Sequence, residues 1–61
     1  MIIAIIHAQS QGILGKFEAT TPEDAGNQFI KSHPEYECDT LAQFYTDHPA
    51  IALNLLAVPL H

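Results

Sequence analysis

The first eight residues form the most strongly patterned stretch of the chain. They carry no charge, and four of them are Ile, a β-branched residue that favours a pleated strand. Because side chains alternate along a strand, Ile3 and Ile5 face one way while Ile2 and Ile6 face the other. A strand that is apolar on both faces predicts a position in the middle of a sheet.

Two further strands are predicted beside the first. The polar segment 9–12 has the length of a hairpin connection. Residues 13–19 then alternate between apolar and polar side chains, which indicates a half-exposed strand antiparallel to the first. Gly15 inside it indicates a bulge or a close backbone approach. Residues 53–58 form the third strand, because a helix there would be apolar all round in a chain too small to bury it. Pro59 predicts a strand end or a sheet edge, because it has no N–H.

The main helix is predicted over residues 22–32. Thr21 is a suitable N-cap, Pro22 suits the first helical position, and two acidic residues follow where the helix dipole is positive. Pro34 ends the helix, since the residue before a proline disfavours the helical conformation. Gly26 in the middle of the helix indicates a tight contact, expected with the sheet.

The segment that follows the main helix is ambiguous. Residues 35–38 are interpreted as an extended or irregular connection. Asp39 or Thr40 then caps a short second helix that has Leu41 and two aromatic residues on one side. The competing interpretation is a strand over residues 36–46, because its aromatic and β-branched residues favour one.

These elements predict one α+β domain over residues 1–61. Its sheet has three strands in the order second-first-third, with the main helix on one face and the short helix nearby, in the chain order ββααβ. One helix layer leaves the other sheet face as an apolar patch too large for a solitary monomer. We therefore predict a homodimer, the commonest closed assembly. The residues assigned to self-association are Ile3, Ile5, Leu53 and Leu55, and Ile2 with Ile6 is the alternative pair on β1.

Composition narrows the classes of partner. The 61 residues are 48% hydrophobic and carry a net charge of −5, with only two cations. That balance argues against direct nucleic-acid binding, which needs clustered Lys and Arg, and it is compatible with a basic protein partner. No segment approaches the roughly 20 apolar residues of a membrane helix, and the apolar start lacks the cationic flank of a signal peptide. Cys38, the only cysteine, suits a reducing compartment, so a cytoplasmic protein without membrane association is expected.

No pattern in the chain indicates catalysis, a metal or a cofactor. His7, His33, His48 and His61 are too far apart in sequence to form the close ligand pairs typical of zinc sites. Cys38 lies between two acidic residues, which raise a thiol pKa, whereas a nucleophile needs a lowered one. So short a chain also has little volume for a substrate pocket of about 300 Å³ or more. We therefore predict that the protein is not an enzyme.

An acidic row is the candidate partner site. In an extended segment, Glu35, Glu37 and Asp39 would point the same way at spacings of about 6.6–6.8 Å, with Asp47 nearby. Such a row can engage a Lys- and Arg-rich surface. The alternative is a solvated connection that only keeps the protein soluble.

Two function classes follow from these features. The first is a small acidic protein-binding module that acts by occupying a partner's surface or by acidic mimicry. Very small acidic chains without motifs are common among phage and mobile-element inhibitors of host machinery, which makes an inhibitor the sharpest version of this hypothesis. The second is a structural or accessory subunit whose apolar face is covered by a different chain. Measuring the size of the purified protein separates the two.

Overall fold

The computed structural model describes residues 1–60, and in it one antiparallel sheet carries a single layer of helices. The strand order is β2-β1-β3, and the arrangement is the α+β ββααβ fold predicted from the sequence. A 3₁₀ turn and a short third helix are added to it. The elements are β1 (Ile2–His7), β2 (Ile13–Glu18), α1 (Pro22–Lys31), the 3₁₀ turn (Pro34–Tyr36), α2 (Leu41–Asp47), α3 (Pro49–Ala52) and β3 (Leu55–Leu60).

The core lies between α1 and one face of the sheet. Ile3 and Ile5 of β1 are buried against Phe29 and Ile30 of α1. Phe44 of α2 extends this core and is fully buried. The assignment of Ile3 and Ile5 to self-association is therefore corrected, because α1 covers this set of side chains and leaves the other face of β1, with Ile2 and Ile6, without a helix layer.

Gly15 lies beside a bulge, which is the first of the two alternatives expected of it. The pairing of β1 with β2 shifts its register directly after the Ile5–Gly15 pair, which is the signature of a bulge. A Cβ at Gly15 would lie 2.8 Å from Cε2 of Phe17. The Phe17 ring therefore lies over the glycine and meets Phe29 edge-on, with ring centroids 6.3 Å apart.

Thr21 caps α1 as predicted, since its Oγ1 accepts a hydrogen bond from the Asp24 N–H at 3.1 Å. We expect Thr21→Ala to lower the free energy of unfolding by about 0.5–2 kcal/mol, because it leaves a helix-terminal N–H without its partner. In a domain of this size that corresponds to a melting temperature roughly 4–8 °C lower per kcal/mol.

The matched control for this prediction is Thr20→Ala. Thr20 is exposed, and among residues 1–60 its side chain makes no hydrogen bond. Thermal unfolding followed by circular dichroism should separate the two variants. Equal melting temperatures would contradict the cap at Thr21.

Helix α2 forms where a strand was the competing interpretation. Thr40 caps it, with Oγ1 accepting from the Gln43 N–H at 3.1 Å. The Leu41 N–H donates to Oδ1 of Asn27 on α1 at 2.7 Å, which ties the two helices together. A Cβ at Gly26 would lie only 2.7 Å from Cδ2 of Leu41. The tight contact expected at Gly26 is therefore with α2 and not with the sheet.

Strand β3 begins two residues later than predicted. The preceding helix α3 continues into a turn in which the Asn54 N–H donates to the Ile51 carbonyl at 3.0 Å. The Asn54 side chain also donates, through Nδ2, to the Ala50 carbonyl at 3.2 Å. These two bonds hold Leu53 and Asn54 in the turn, so the strand starts at Leu55.

Candidate functional site

The sheet face opposite α1, called the open face below, consists of the side chains that alternate with the core set. Ile2, Leu56, Val58 and Leu60 keep between 37% and 49% of their surface exposed. Ala4 is buried at the centre because larger neighbours surround it. On β1 and β3 the residues of this set are Ile2, Ala4, Ile6, Leu56, Val58 and Leu60.

The open face differs from the self-association set inferred from sequence. Leu55 is half-buried and packs against the core on the helix side of the sheet. Leu53 is 82% exposed, but it lies in the turn between α3 and β3. An exposed apolar sheet face is present, but the side chains assigned to it from the sequence are not the ones that form it, because both sets on β1 are Ile.

Strand β2 forms a charged and protected edge of the sheet. Lys16 and Glu18 are exposed and lie beside Ala4 and Ile2, which places charges along this side of the open face. The outward carbonyl of Glu18 accepts a hydrogen bond from Nε2 of Gln28 at 2.8 Å. An exposed lysine, a bulge and an occupied carbonyl all disfavour the addition of another strand here.

The ladder between β1 and β3 determines which backbone groups point outwards at the other edge. The Ala8 N–H donates to the Asn54 carbonyl at 2.6 Å, in register with the pairs of β3. Hydrogen-bonded and non-hydrogen-bonded pairs alternate in such a ladder, so every second residue of β3 directs its backbone groups away from β1. The outward-directed residues are Leu55, Ala57 and Pro59.

Pro59 limits this outer edge. It stands at an outward position, where its missing N–H breaks no bond to β1. The expectation that Pro59 marks a sheet edge is confirmed. The outward N–H groups of β3 are therefore those of Leu55 and Ala57, and neither has a hydrogen-bond partner among residues 1–60.

A groove of about 420 Å³ runs beside this edge, on the helix side of the sheet. Its floor includes Leu55 and Ala57 of β3, and Leu41 and Tyr45 of α2 form one wall. Glu23, at the start of α1, is the charged residue that lines it. This volume corrects the expectation that so short a chain has little room for a pocket of about 300 Å³ or more, because the volume depends on how far α2 stands from β3.

The acidic row does not form as an extended segment. Pro34–Tyr36 is a 3₁₀ turn, and Glu37 adopts a left-handed conformation with φ of 57°. The equal spacing predicted for Glu35, Glu37 and Asp39 is therefore wrong. All three are exposed, as is Asp47.

The structure gathers three of these acidic residues around Cys38. Sγ of the buried Cys38 thiol lies 3.3 Å from the Tyr36 carbonyl and 3.7 Å from Oδ2 of Asp47, so its single hydrogen has two acceptors within reach. Burial raises the pKa of this thiol, and the charges of Asp47, Asp39 and Glu37 raise it further. A thiol held protonated in this way is a poor nucleophile.

His33 and His48 serve the local structure around Tyr36. Nδ1 of His33 lies 2.8 Å from the Phe29 carbonyl in the last turn of α1, and Nε2 of His48 lies 3.0 Å from the Tyr36 carbonyl. Both rings pack on the Tyr36 ring, with centroids 5.9 and 5.5 Å away. In the described part of the chain, no three His, Cys, Asp or Glu side chains come together as metal ligands. His61, the fourth histidine of the chain, lies outside the described residues.

Comparisons with protein-family models, with curated proteins and with solved structures give no match for this chain. In residues 1–60, no helix has the length and apolar character needed to cross a membrane, and α1 contains ten residues.

Proposed function

We propose that this chain is a small acidic protein-binding module without enzymatic activity, and that it forms a homodimer through the open face. The observation that carries the proposal is the set of aliphatic side chains left exposed on two adjacent strands. Contiguous apolar patches of this kind are typical of protein interfaces. The acidic charge of the chain favours a basic protein as the further partner.

The energetic reason for association is the small size of the core. Burying a Val, Leu or Ile side chain completely stabilises by about 1.5–3 kcal/mol. Covering the exposed fraction of each open-face side chain then stabilises by about 0.5–1.5 kcal/mol. These gains are substantial for a domain whose own core supplies roughly 3–5 kcal/mol.

A face-to-face pair fits the sheet better than a pair joined at β2. That strand carries Lys16 and has its Glu18 carbonyl occupied, whereas the open face has no such protection along β1 and β3. Two sheets packed face to face stand about 10 Å apart and bury both inner surfaces. The groove and the acidic cluster would stay accessible in such a dimer, because the groove lies on the helix side of the sheet.

Sedimentation velocity at micromolar concentration tests the proposal. We expect the unaltered protein to sediment as a dimer and Val58→Lys to sediment as a folded monomer, because the new charge stands at the centre of the interface next to Ala4. The matched control is Ile51→Lys, which places the same charge on a residue that is 41% exposed on α3 and should stay dimeric.

The alternative outcomes are distinct. A stable monomer of the unaltered chain, or a dimer that Val58→Lys leaves intact, would contradict the homodimer. A chain that aggregates when purified alone and becomes soluble on co-expression with another protein would favour the accessory-subunit alternative.

A further inference from the structure

We propose that the outer edge of β3 and the adjoining groove bind an extended, basic peptide segment of the protein partner, which adds as a fourth strand antiparallel to β3. The proposal deepens the protein-binding function by naming the class of partner and the place where it binds. It does not depend on the homodimer, which uses the opposite face of the sheet.

The outer edge of β3 has backbone groups that are free to pair with another strand. The N–H and C=O groups of Leu55 and Ala57 point outwards and have no partner among residues 1–60, and Pro59 ends the segment that can pair. An exposed sheet edge of this type recognises extended peptides through main-chain hydrogen bonds. The edge at β2 is protected by Lys16 and by the Gln28 bond to Glu18. The two edges therefore differ in their capacity to pair.

The groove lies where side chains of a strand paired with β3 would point. Side chains of a paired antiparallel strand lie on the same sheet face as those of the residues directly opposite. Peptide residues opposite Leu55 and Ala57 would thus direct their side chains to the helix side, where the 420 Å³ groove lies between β3 and α2. Its wall of Leu41 and Tyr45 suits aliphatic side chains at every second position of the peptide.

The charge near the groove favours a basic peptide over a second copy of the chain. Glu23 is the charged residue that lines the groove, and the whole chain carries a net charge of −5. Lys or Arg residues flanking the aliphatic positions would be attracted to this surface. A second copy has only two cations, Lys16 and Lys31, and therefore offers no clustered basic segment to this edge.

The test uses a defined probe, a capped peptide with the sequence Lys-Val-Thr-Val-Thr-Val-Lys, titrated into the full chain and followed by isothermal calorimetry and amide chemical shifts. We expect saturable binding, with the largest shifts at Leu55 and Ala57. A control peptide of the same composition, Lys-Val-Val-Thr-Thr-Val-Lys, should bind about tenfold more weakly or not at all, because no two of its valines stand two positions apart on one face of the strand. Equal binding of the two peptides would overturn the proposal and leave only attraction between opposite charges.

Two matched modifications test the hydrogen bonds. In antiparallel pairing, the valine nitrogens donate to β3 and the threonine nitrogens point away. Methylation of the central valine nitrogen should therefore weaken binding about tenfold, and methylation of a threonine nitrogen should not. On the protein side, Ala57→Pro removes an outward N–H and should weaken binding of the unmethylated probe by a similar factor. Probe methylation gives the same information if Ala57→Pro does not fold. Binding that is insensitive to both changes overturns the proposal.

Charge and oligomeric state complete the test. Glu23→Gln should weaken binding of the probe and reduce the salt dependence of its affinity. Both effects should be larger than those of Glu35→Gln, which removes an equal charge from the 3₁₀ turn. If Ala57→Pro converts a dimer to a monomer while Val58→Lys does not, the edge pairs with a second copy and the peptide proposal is overturned. Failure of the homodimer alone, with probe binding intact, leaves this inference standing.

Discussion

Replacing Phe44 by Ala is expected to abolish the cooperative unfolding transition of this protein. The Phe44 side chain is fully buried, and its ring packs against Tyr36 and His48 with centroids 5.0 and 5.5 Å away. Truncation of a buried Phe costs about 3–5 kcal/mol, which is as much as a core of this size supplies. The variant should therefore show no sharp melting transition at room temperature or above.

The neighbouring residue provides the control. Tyr45 follows Phe44 on α2 and is 53% exposed, so Tyr45→Ala should keep a sharp transition with a small shift of the melting temperature. Circular dichroism in the near and far ultraviolet measures both variants, at several protein concentrations because association adds to stability. A Phe44→Ala protein that melts within a few degrees of the unaltered chain would show that α2 is a surface addition and not part of the core.

The strand order and the helix starts could be predicted because they follow from local chemistry. A strand with Ile on both faces is typical of a central position in a sheet, and β1 is central here. Thr21 and Thr40 each stand before a helix with a side-chain oxygen that accepts a backbone N–H, as their positions indicated. Such features depend on a few neighbouring residues and not on the tertiary arrangement.

The choice of the buried face could not be predicted from β1 alone. Ile3 and Ile5 are chemically equivalent to Ile2 and Ile6, so period-two alternation gives two equal solutions. The pairing with β2 breaks this symmetry, because Ile3 stands opposite Phe17 and Ile2 stands opposite Glu18. The charges of β2 would have identified the solvent face if the register had been known.

The acidic segment and the groove depend on backbone geometry that composition does not reveal. Glu37 adopts a left-handed conformation directly after a 3₁₀ turn, which removes the extended geometry on which the predicted row relied. A Cβ at Gly26 would collide with Leu41, so the glycine allows α2 to lie close to α1. The groove lies beside this contact and is lined by both residues.

A proline at position 58 of β3 is expected to prevent folding, whereas a proline at the adjacent position 57 is expected to be tolerated. Val58 stands opposite Ala4 in a hydrogen-bonded pair, so Val58→Pro removes an N–H that bonds to β1 and leaves the Ala4 carbonyl buried without its partner. We expect β3 to detach and the variant to lose its cooperative transition. Ala57→Pro removes an outward N–H, at a position equivalent to that of Pro59, and should fold.

Thermal unfolding and amide hydrogen exchange distinguish the two proline variants. Ala57→Pro should keep the melting transition and the slow exchange of β1 amides, whereas Val58→Pro should lose both. Val58→Ala controls for the loss of the valine side chain, which lies on the open face, and should still fold. Destabilisation of equal size in both proline variants would mean that the hydrogen-bonding alternation of β3 is not the one described. In that case Leu55 and Ala57 would not offer free N–H groups to a partner strand, and a peptide could not pair at this edge.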